Sequence, residues 1–243
     1  MKRAERHRLK ENEVASTVVQ AREAFENNRR LILTGAGAVV VILIAVAGFM
    51  TWRSQADSRS REMLADASAV AQSKVAPATA PGAAPAPRPA GGFATAQARD
   101  EAALAKFLAV ADRYPNTDAG IAARYQAAAT LTALGRTGEA IQKYQEVIEK
   151  AGHSVYARMA KLGIADASAA AGKFDAAISV YRELSSSAAA DLPVDGILMQ
   201  LASACQAAGK PADARQAYKR IVDEFPQSPY AADAKRAMDN LKG

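Results

Sequence analysis

The sequence predicts an all-α protein in which one N-terminal membrane-spanning helix is followed by a solenoid of paired helices. Three observations lead there: an uncharged apolar run from Leu31 to Trp52, a spacing of 37 residues that recurs from residue 97 onward, and a composition 50% hydrophobic yet only 6% aromatic. Alanine-rich, aromatic-poor sequence suits closely packed helices, because alanine has the highest helix propensity and lets neighbouring axes approach.

Residues 31–52, LILTGAGAVVVILIAVAGFMTW, carry no charge over 22 positions. At a rise of about 1.5 Å per residue such a helix crosses a hydrocarbon core of about 30 Å. Arg29 and Arg30 precede it, and Trp52 and Arg53 close it, the basic and aromatic anchors of a membrane interface. Eight Lys and Arg lie ahead of the span, against Arg53, Arg59 and Arg61 just behind it. The positive-inside rule therefore keeps the N-terminus in the cytoplasm and exports residues 53–243. The expected location is a bacterial inner membrane, single-pass, with a periplasmic C-terminal domain. Ala45-Val46-Ala47 has the small-x-small form of a signal-peptide cleavage site, which is the competing expectation. Against it, the charged leader of 30 residues is long for a signal, and the apolar run continues through Gly48, Phe49 and Met50.

In the cytoplasmic tail, residues 1–30, Val14, Val18, Ala21 and Phe25 recur at helical spacing among charges and describe a short amphipathic helix. Residues 53–74 read as a polar juxtamembrane helix. Residues 75–96 read as a linker of Pro, Ala and Gly, with Pro77, Pro81, Pro85, Pro87 and Pro89 supplying half of the chain's 10 prolines. Such a composition favours extended, polyproline-like backbone, a semi-stiff spacer between the membrane and a domain at 97–243.

The net charge of +6 sits mainly in the tails. Residues 1–30 carry eight bases against five acids, residues 53–88 five against three, and residues 97–243 carry 18 against 17, or +1. A nearly neutral domain lacks the basic footprint that nucleic-acid binding requires. With one cysteine, Cys205, no disulfide forms within the chain, and His7 and His153 stand in separate segments, so no histidine-based metal cluster is expected. No GxxxxGK[ST], HExxH or GxSxG motif occurs, and acid pairs such as Asp223-Glu224 diverge on a helix. The chain is not expected to be an enzyme, with no catalytic residue, cofactor, metal or small-molecule substrate.

Past residue 97 the register is checked position by position. Ala103, Ala140, Ala177 and Ala214 stand 37 apart; so do Phe107, Tyr144, Tyr181 and Tyr218; Val110, Val147, Leu184 and Ile221; and Gly135, Gly172 and Gly209. A fifth column, Thr117, Ser154, Asp191 and Ser228, supplies side chains that cap helix N-termini, with Pro229 placed for a first helical position. The glycine ends a first helix in a left-handed turn, and small, aromatic and aliphatic residues at spacings of four and three line one face of a second. Each unit is a helix–turn–helix that buries its apolar face only by stacking on its neighbours, which winds the stack into a right-handed solenoid. Units 117–153, 154–190 and 191–227 are complete. A second helix at 97–115 precedes them, and Ser228 to Leu241 follows as a cap.

The segments GRTGEAIQKYQEVI, GKFDAAISVYRELS and GKPADARQAYKRIV resemble the second half of tetratricopeptide repeats, with the Gly, Ala and aromatic positions in place. In the first helices Arg124, Ala127, Ala128, then Lys161, Ile164, Ala165, then Leu198, Leu201, Ala202 stand where that family often has Trp, Leu and Gly. The period and the FPQSPYAADA ending are similar to the periplasmic repeat proteins of the Tol-Pal system and outer-membrane assembly. The whole layout, with Phe25-Glu26-Asn27 before the membrane, a span ending in Trp52-Arg53 and an exported repeat domain, resembles the ancillary subunit family of the Sec translocon. That resemblance implies a place beside the protein-conducting channel, with translocon subunits, a periplasmic chaperone and emerging exported chains as partners.

The repeat family's pattern also implies a concave face lined by Tyr125, Thr132, Met159, Leu162, Asp166, Met199, Ser203 and Gln206. Two flexible, polarizable methionines suit a surface that accepts varied apolar side chains, although Met159 and Met199 would equally fill core between helices. The Lys and Asn clamp with which some members hold a C-terminal carboxylate is missing at the matching positions. The expected function is protein binding, as a translocon-associated scaffold or holdase. The alternative is a cell-envelope or division scaffold with one dedicated partner.

Overall fold

The computed structural model describes residues 29–77, 89–186 and 192–241; the tail helix around Val14 to Phe25, most of the proline cluster and Asp191 lie outside the described residues. The chain forms two compact units, Met1–Gln55 and Ala56–Gly243. Nine helices follow one another among the described residues: α1 (Arg29–Ala71), α2 (Ala96–Arg113), α3 (Asp118–Ala133), α4 (Thr137–Ala151), α5 (Val155–Ala170), α6 (Phe174–Ser186), α7 (Val194–Ala207), α8 (Pro211–Glu224) and α9 (Ala231–Asn240).

In the first unit, α1 is long and apolar enough to cross a membrane, with a mean hydropathy of 2.6 over its most apolar stretch. Leu33, Val41, Ile44 and Phe49 are exposed all around it, as expected where lipid is the solvent. Its hydroxyls are satisfied inside the helix: Thr34 donates to the Arg30 carbonyl at 2.9 Å and Thr51 to the Gly48 carbonyl at 2.9 Å.

The second unit begins within α1, earlier than the expected start at residue 97. Ser60 and Ala67 are fully buried, and Met63, Leu64, Val70 and Ala71 pack on the core that holds Ala103, Leu104 and Phe107 of α2. The buried Ser60 hydroxyl donates back to the Asp57 carbonyl at 2.9 Å, so it adds no unsatisfied polar group. Lys106 of α2 pairs with Asp66. The end of α1 and α2 thus share one apolar core, and residues 72–95 connect the two helices. The ends of this segment meet: Phe93 donates to the Lys74 carbonyl and Ala76 to the Phe93 carbonyl, both at 2.9 Å. Gly92 permits the approach, since a Cβ there would stand 2.5 Å from the Lys74 carbonyl oxygen.

Three pairs, α3/α4, α5/α6 and α7/α8, follow in register, and α9 closes the stack with Ala234 buried and Met238 and Leu241 against the last core. Gly135, Gly172 and Gly209 take φ of 75°, 74° and 70° after the first helix of each pair. Each makes the same two hydrogen bonds; in the first, the Gly135 amide donates to Thr132 at 3.0 Å and the Arg136 amide to Leu131 at 2.9 Å. This Schellman closure satisfies the last carbonyls of the helix. The four alanines and four aromatics of the other columns are buried at the pair interfaces.

The capping column is less uniform than its spacing. Thr117 caps α3, accepting from the Gly120 amide at 3.0 Å. Ser154 occupies the N-cap of α5 without a side-chain bond. α7 starts only after Pro193, and α9 only after Tyr230; the Ser228 hydroxyl donates to Asp195 at 2.7 Å and accepts from the Tyr230 amide at 3.1 Å, and Pro229 stays outside the helix.

Arg124, where the family often has Trp, is buried. Its Nε meets Glu146 Oε2 at 2.9 Å and its Nη2 donates to the Ala111 carbonyl at 3.1 Å, at the C-terminal end of α2, where a cation is favoured. Its Nη1 has no partner among the described residues. Removing Glu146, which is half-exposed, leaves this guanidinium buried and uncompensated, so Glu146→Ala should cost about 2 kcal/mol. Arg124→Met removes the buried charge itself and should stay within about 1 kcal/mol of wild type. Urea unfolding of both variants checks the order, and an Arg124→Met loss larger than that of Glu146→Ala contradicts it.

Candidate protein-binding groove

The tyrosine of each second helix reaches back to the first helix of its own pair. Tyr181 donates to Asp166 Oδ1 at 2.6 Å, and Tyr218 donates to Gln206 Oε1 at 2.7 Å and also engages the Ser203 hydroxyl. Tyr144 engages Thr132, whose hydroxyl donates to the Ala128 carbonyl at 3.1 Å. A buried tyrosine needs such a partner for its hydroxyl, and that need accounts for the polar residues on this face of α3, α5 and α7. Thr132, Asp166, Ser203 and Gln206 therefore tie each second helix to the first helix of its own pair.

Burial shifts these groups in one direction. Desolvation raises the Tyr144 hydroxyl to about 12 and raises Tyr181 further, with the Asp166 carboxylate adding to the latter. Asp166 itself is raised by desolvation, against the lowering effect of the Tyr181 hydrogen bond.

The apolar groove positions divide. Leu162 and Met199 pack on the core of the last two pairs, and Met159 is half-buried. The Tyr125 ring lies 5.6 Å from Tyr144 and 6.4 Å from Tyr156, in tilted and edge-on contacts. Tyr156 and Gly163 of α5, absent from the expected groove residues, complete this cluster: a Cβ on Gly163 would meet the Tyr144 ring at 2.3 Å. A glycine one helical turn from an apolar face is the only sequence signal for it. Ser203 and Gln206 are exposed, and Val155 and Tyr230 are the exposed large hydrophobics among the described residues of the second unit.

On the opposite side of α7, a cavity of about 200 Å³ is lined by Arg182, Leu201, Cys205, Asp213 and Arg220. Arg182 pairs with Asp213 at 2.8 Å, and burial pushes the Cys205 thiol up. No group of side chains that could hold a metal ion occurs among the described residues.

Asp166 yields a pH prediction. Its folded-state pKa lies above the ordinary carboxylate value, so its favourable contribution is full at pH below that ordinary value and is lost as pH rises through the raised one. Asp166→Asn keeps an acceptor for Tyr181 and removes the desolvated charge. The variant should melt higher than wild type at pH 7, and the difference should vanish near pH 4. Equal melting at pH 7, or a gap that widens in acid, overturns the assignment.

A family model described as a tetratricopeptide repeat-like domain matches residues 22–241. No curated protein matches the chain. Among solved structures, a Podosopora anserina putative kinesin light chain with nearly identical TPR-like repeats shares 15% identity at a TM-score of 0.56, over 76% of this chain and 86% of that one. A point variant of the same repeat protein shares 14% at a TM-score of 0.56, over 76% and 85%. At such identity the likeness concerns the fold alone, and that fold is the stack of helix pairs described above. With the family model spanning the apolar helix and every repeat, the chain belongs to the tetratricopeptide repeat-like domain family.

Proposed function

We propose that this protein is a membrane-anchored scaffold that gathers partner proteins on the periplasmic face of a bacterial inner membrane, beside the Sec translocon. The observation that carries the reading is the reach of the family match, which starts at residue 22, ahead of the apolar helix, and ends at residue 241. Anchor and repeats therefore fall within one family match, which supports reading them as a single layout; the resemblance of that layout to the ancillary translocon subunit rests on the sequence. Repeat stacks of this kind serve as interaction platforms, not as enzymes.

The surface favours partners with defined structure over indiscriminate capture of unfolded chains. A holdase needs a contiguous exposed apolar surface, whereas Leu162 and Met199 are packed on core. Ala133, Ala170 and Ala207 end the three first helices, one period apart, and all are exposed. A photoreactive amino acid at each of them, in cells, should crosslink translocon subunits or the chaperone that attends them. Capture of a single envelope or division protein, with no translocon component, would transfer the protein to the alternative reading.

A further inference from the structure

We propose that the groove between α3 and α5, the first helices of adjacent repeats, holds a subsite for one basic side chain of the partner, formed by the Tyr125 ring and the Asp166 carboxylate. This deepens the scaffold reading and rests on it. Asp166 accepts one hydrogen bond, from Tyr181, and no basic group pairs with it among the described residues. Acids on the second helices and at the turns are paired instead: Glu183 with Lys161, Asp213 with Arg182, Asp175 with Lys210. Asp166 is thus a half-buried carboxylate left open to a cation from outside.

The surroundings select the kind of cation. The Tyr144 ring packs against Gly163, one helical turn before Asp166 on α5, and Tyr125 is held in the aromatic cluster with Tyr144 and Tyr156, 5.6 and 6.4 Å away. A guanidinium or ammonium gains from the face of such a ring and from the carboxylate together, and both gains grow as water is excluded. Met159, half-buried, lies two turns before Asp166 on one face of α5, so an aliphatic stem has an apolar side chain to lie along while its charged head reaches the acid. An unpaired, desolvated carboxylate weakens the fold, and a partner's cation removes that penalty on binding. Residues 97–243 carry a net charge of only +1, so general electrostatic attraction for bases does not substitute for the local pair.

The test uses the full chain in lipid nanodiscs and two amidated heptapeptides of alanine and leucine that differ only at the centre, arginine in one and its neutral isostere citrulline in the other. Wild type should bind the arginine peptide about tenfold tighter. Asp166→Asn, which keeps the Tyr181 partner and is checked for folding by its melting temperature, should bring the two peptides within about twofold. Tyr125→Leu should weaken the arginine peptide by about threefold. Equal affinities in wild type, selectivity that survives Asp166→Asn, or no binding of either peptide at millimolar concentration overturns the subsite. In-cell crosslinking from Ala170 separates this from the wider reading. The same translocon adducts from wild type and Asp166→Asn leave the scaffold standing without the subsite, whereas no adduct from any of the three positions removes the scaffold itself.

Discussion

Gly120→Ala is expected to destabilise the repeat unit by about 2–3 kcal/mol, although alanine is the better helix former. A Cβ at this position would stand 1.8 Å from the Tyr114 carbonyl oxygen and 2.8 Å from its carbon. These are backbone atoms, so relief requires the corner between α2 and α3 to move. That corner is fastened twice: the Thr117 amide and hydroxyl both donate to the Tyr114 carbonyl, at 3.2 and 3.1 Å, and the same hydroxyl oxygen accepts from the Gly120 amide. Overpacking costs about 1–3 kcal/mol and a lost N-cap about 1 kcal/mol, against a propensity gain of about 1 kcal/mol. Gly138 in α4 supplies the control, since a Cβ there meets nothing within 4 Å; Gly138→Ala should gain up to about 1 kcal/mol. Urea unfolding of the full chain in micelles, followed by circular dichroism, reads both, and a Gly120→Ala variant as stable as wild type would falsify the corner geometry.

What the sequence made legible was whatever repeats without interruption. The glycine, alanine and aromatic columns mark helix ends and interfaces because each position answers a constraint that every unit shares. Residues 56–71 escape that register for a physical reason: residues 72–95 separate them from α2, and a period of 37 cannot see across that segment. Their inward residues, Ser60, Met63, Ala67 and Val70, also stand among Arg59, Arg61, Glu62 and Asp66, so that the segment as a whole reads as polar. Of the residues expected on the groove, Thr132, Asp166 and Gln206 each serve a tyrosine hydroxyl, a demand that arises only once Tyr144, Tyr181 and Tyr218 are buried. The capping column was legible as polar side chains but not as helix starts: the Ser228 hydroxyl accepts from the Tyr230 amide and donates to Asp195, yet the helix begins only at Ala231.

Gly163 binds these threads together, and its replacement should behave oppositely in two backgrounds. In the wild-type chain Gly163→Ala should cost about 2 kcal/mol, because the new Cβ would fall 2.3, 2.5 and 2.7 Å from Cζ, Cε1 and Cε2 of Tyr144. The ring has nowhere to swing: Tyr125 lies 5.6 Å away on one side, and its hydroxyl is engaged by Thr132. With leucine in place of Tyr144 the space opens, and Gly163→Ala should gain up to about 1 kcal/mol from helix propensity. The double-mutant cycle should therefore return a coupling of about 2–3 kcal/mol. One period away on either side stand Gln126 and Gln200, so the glycine is no general feature of the repeat. It belongs to this junction, where Tyr144 of one pair packs into α5 of the next and carries Tyr125 with it. A coupling near zero would mean that the ring does not rest on α5, and the spacing of the two groove helices, with any subsite built between them, would need another cause.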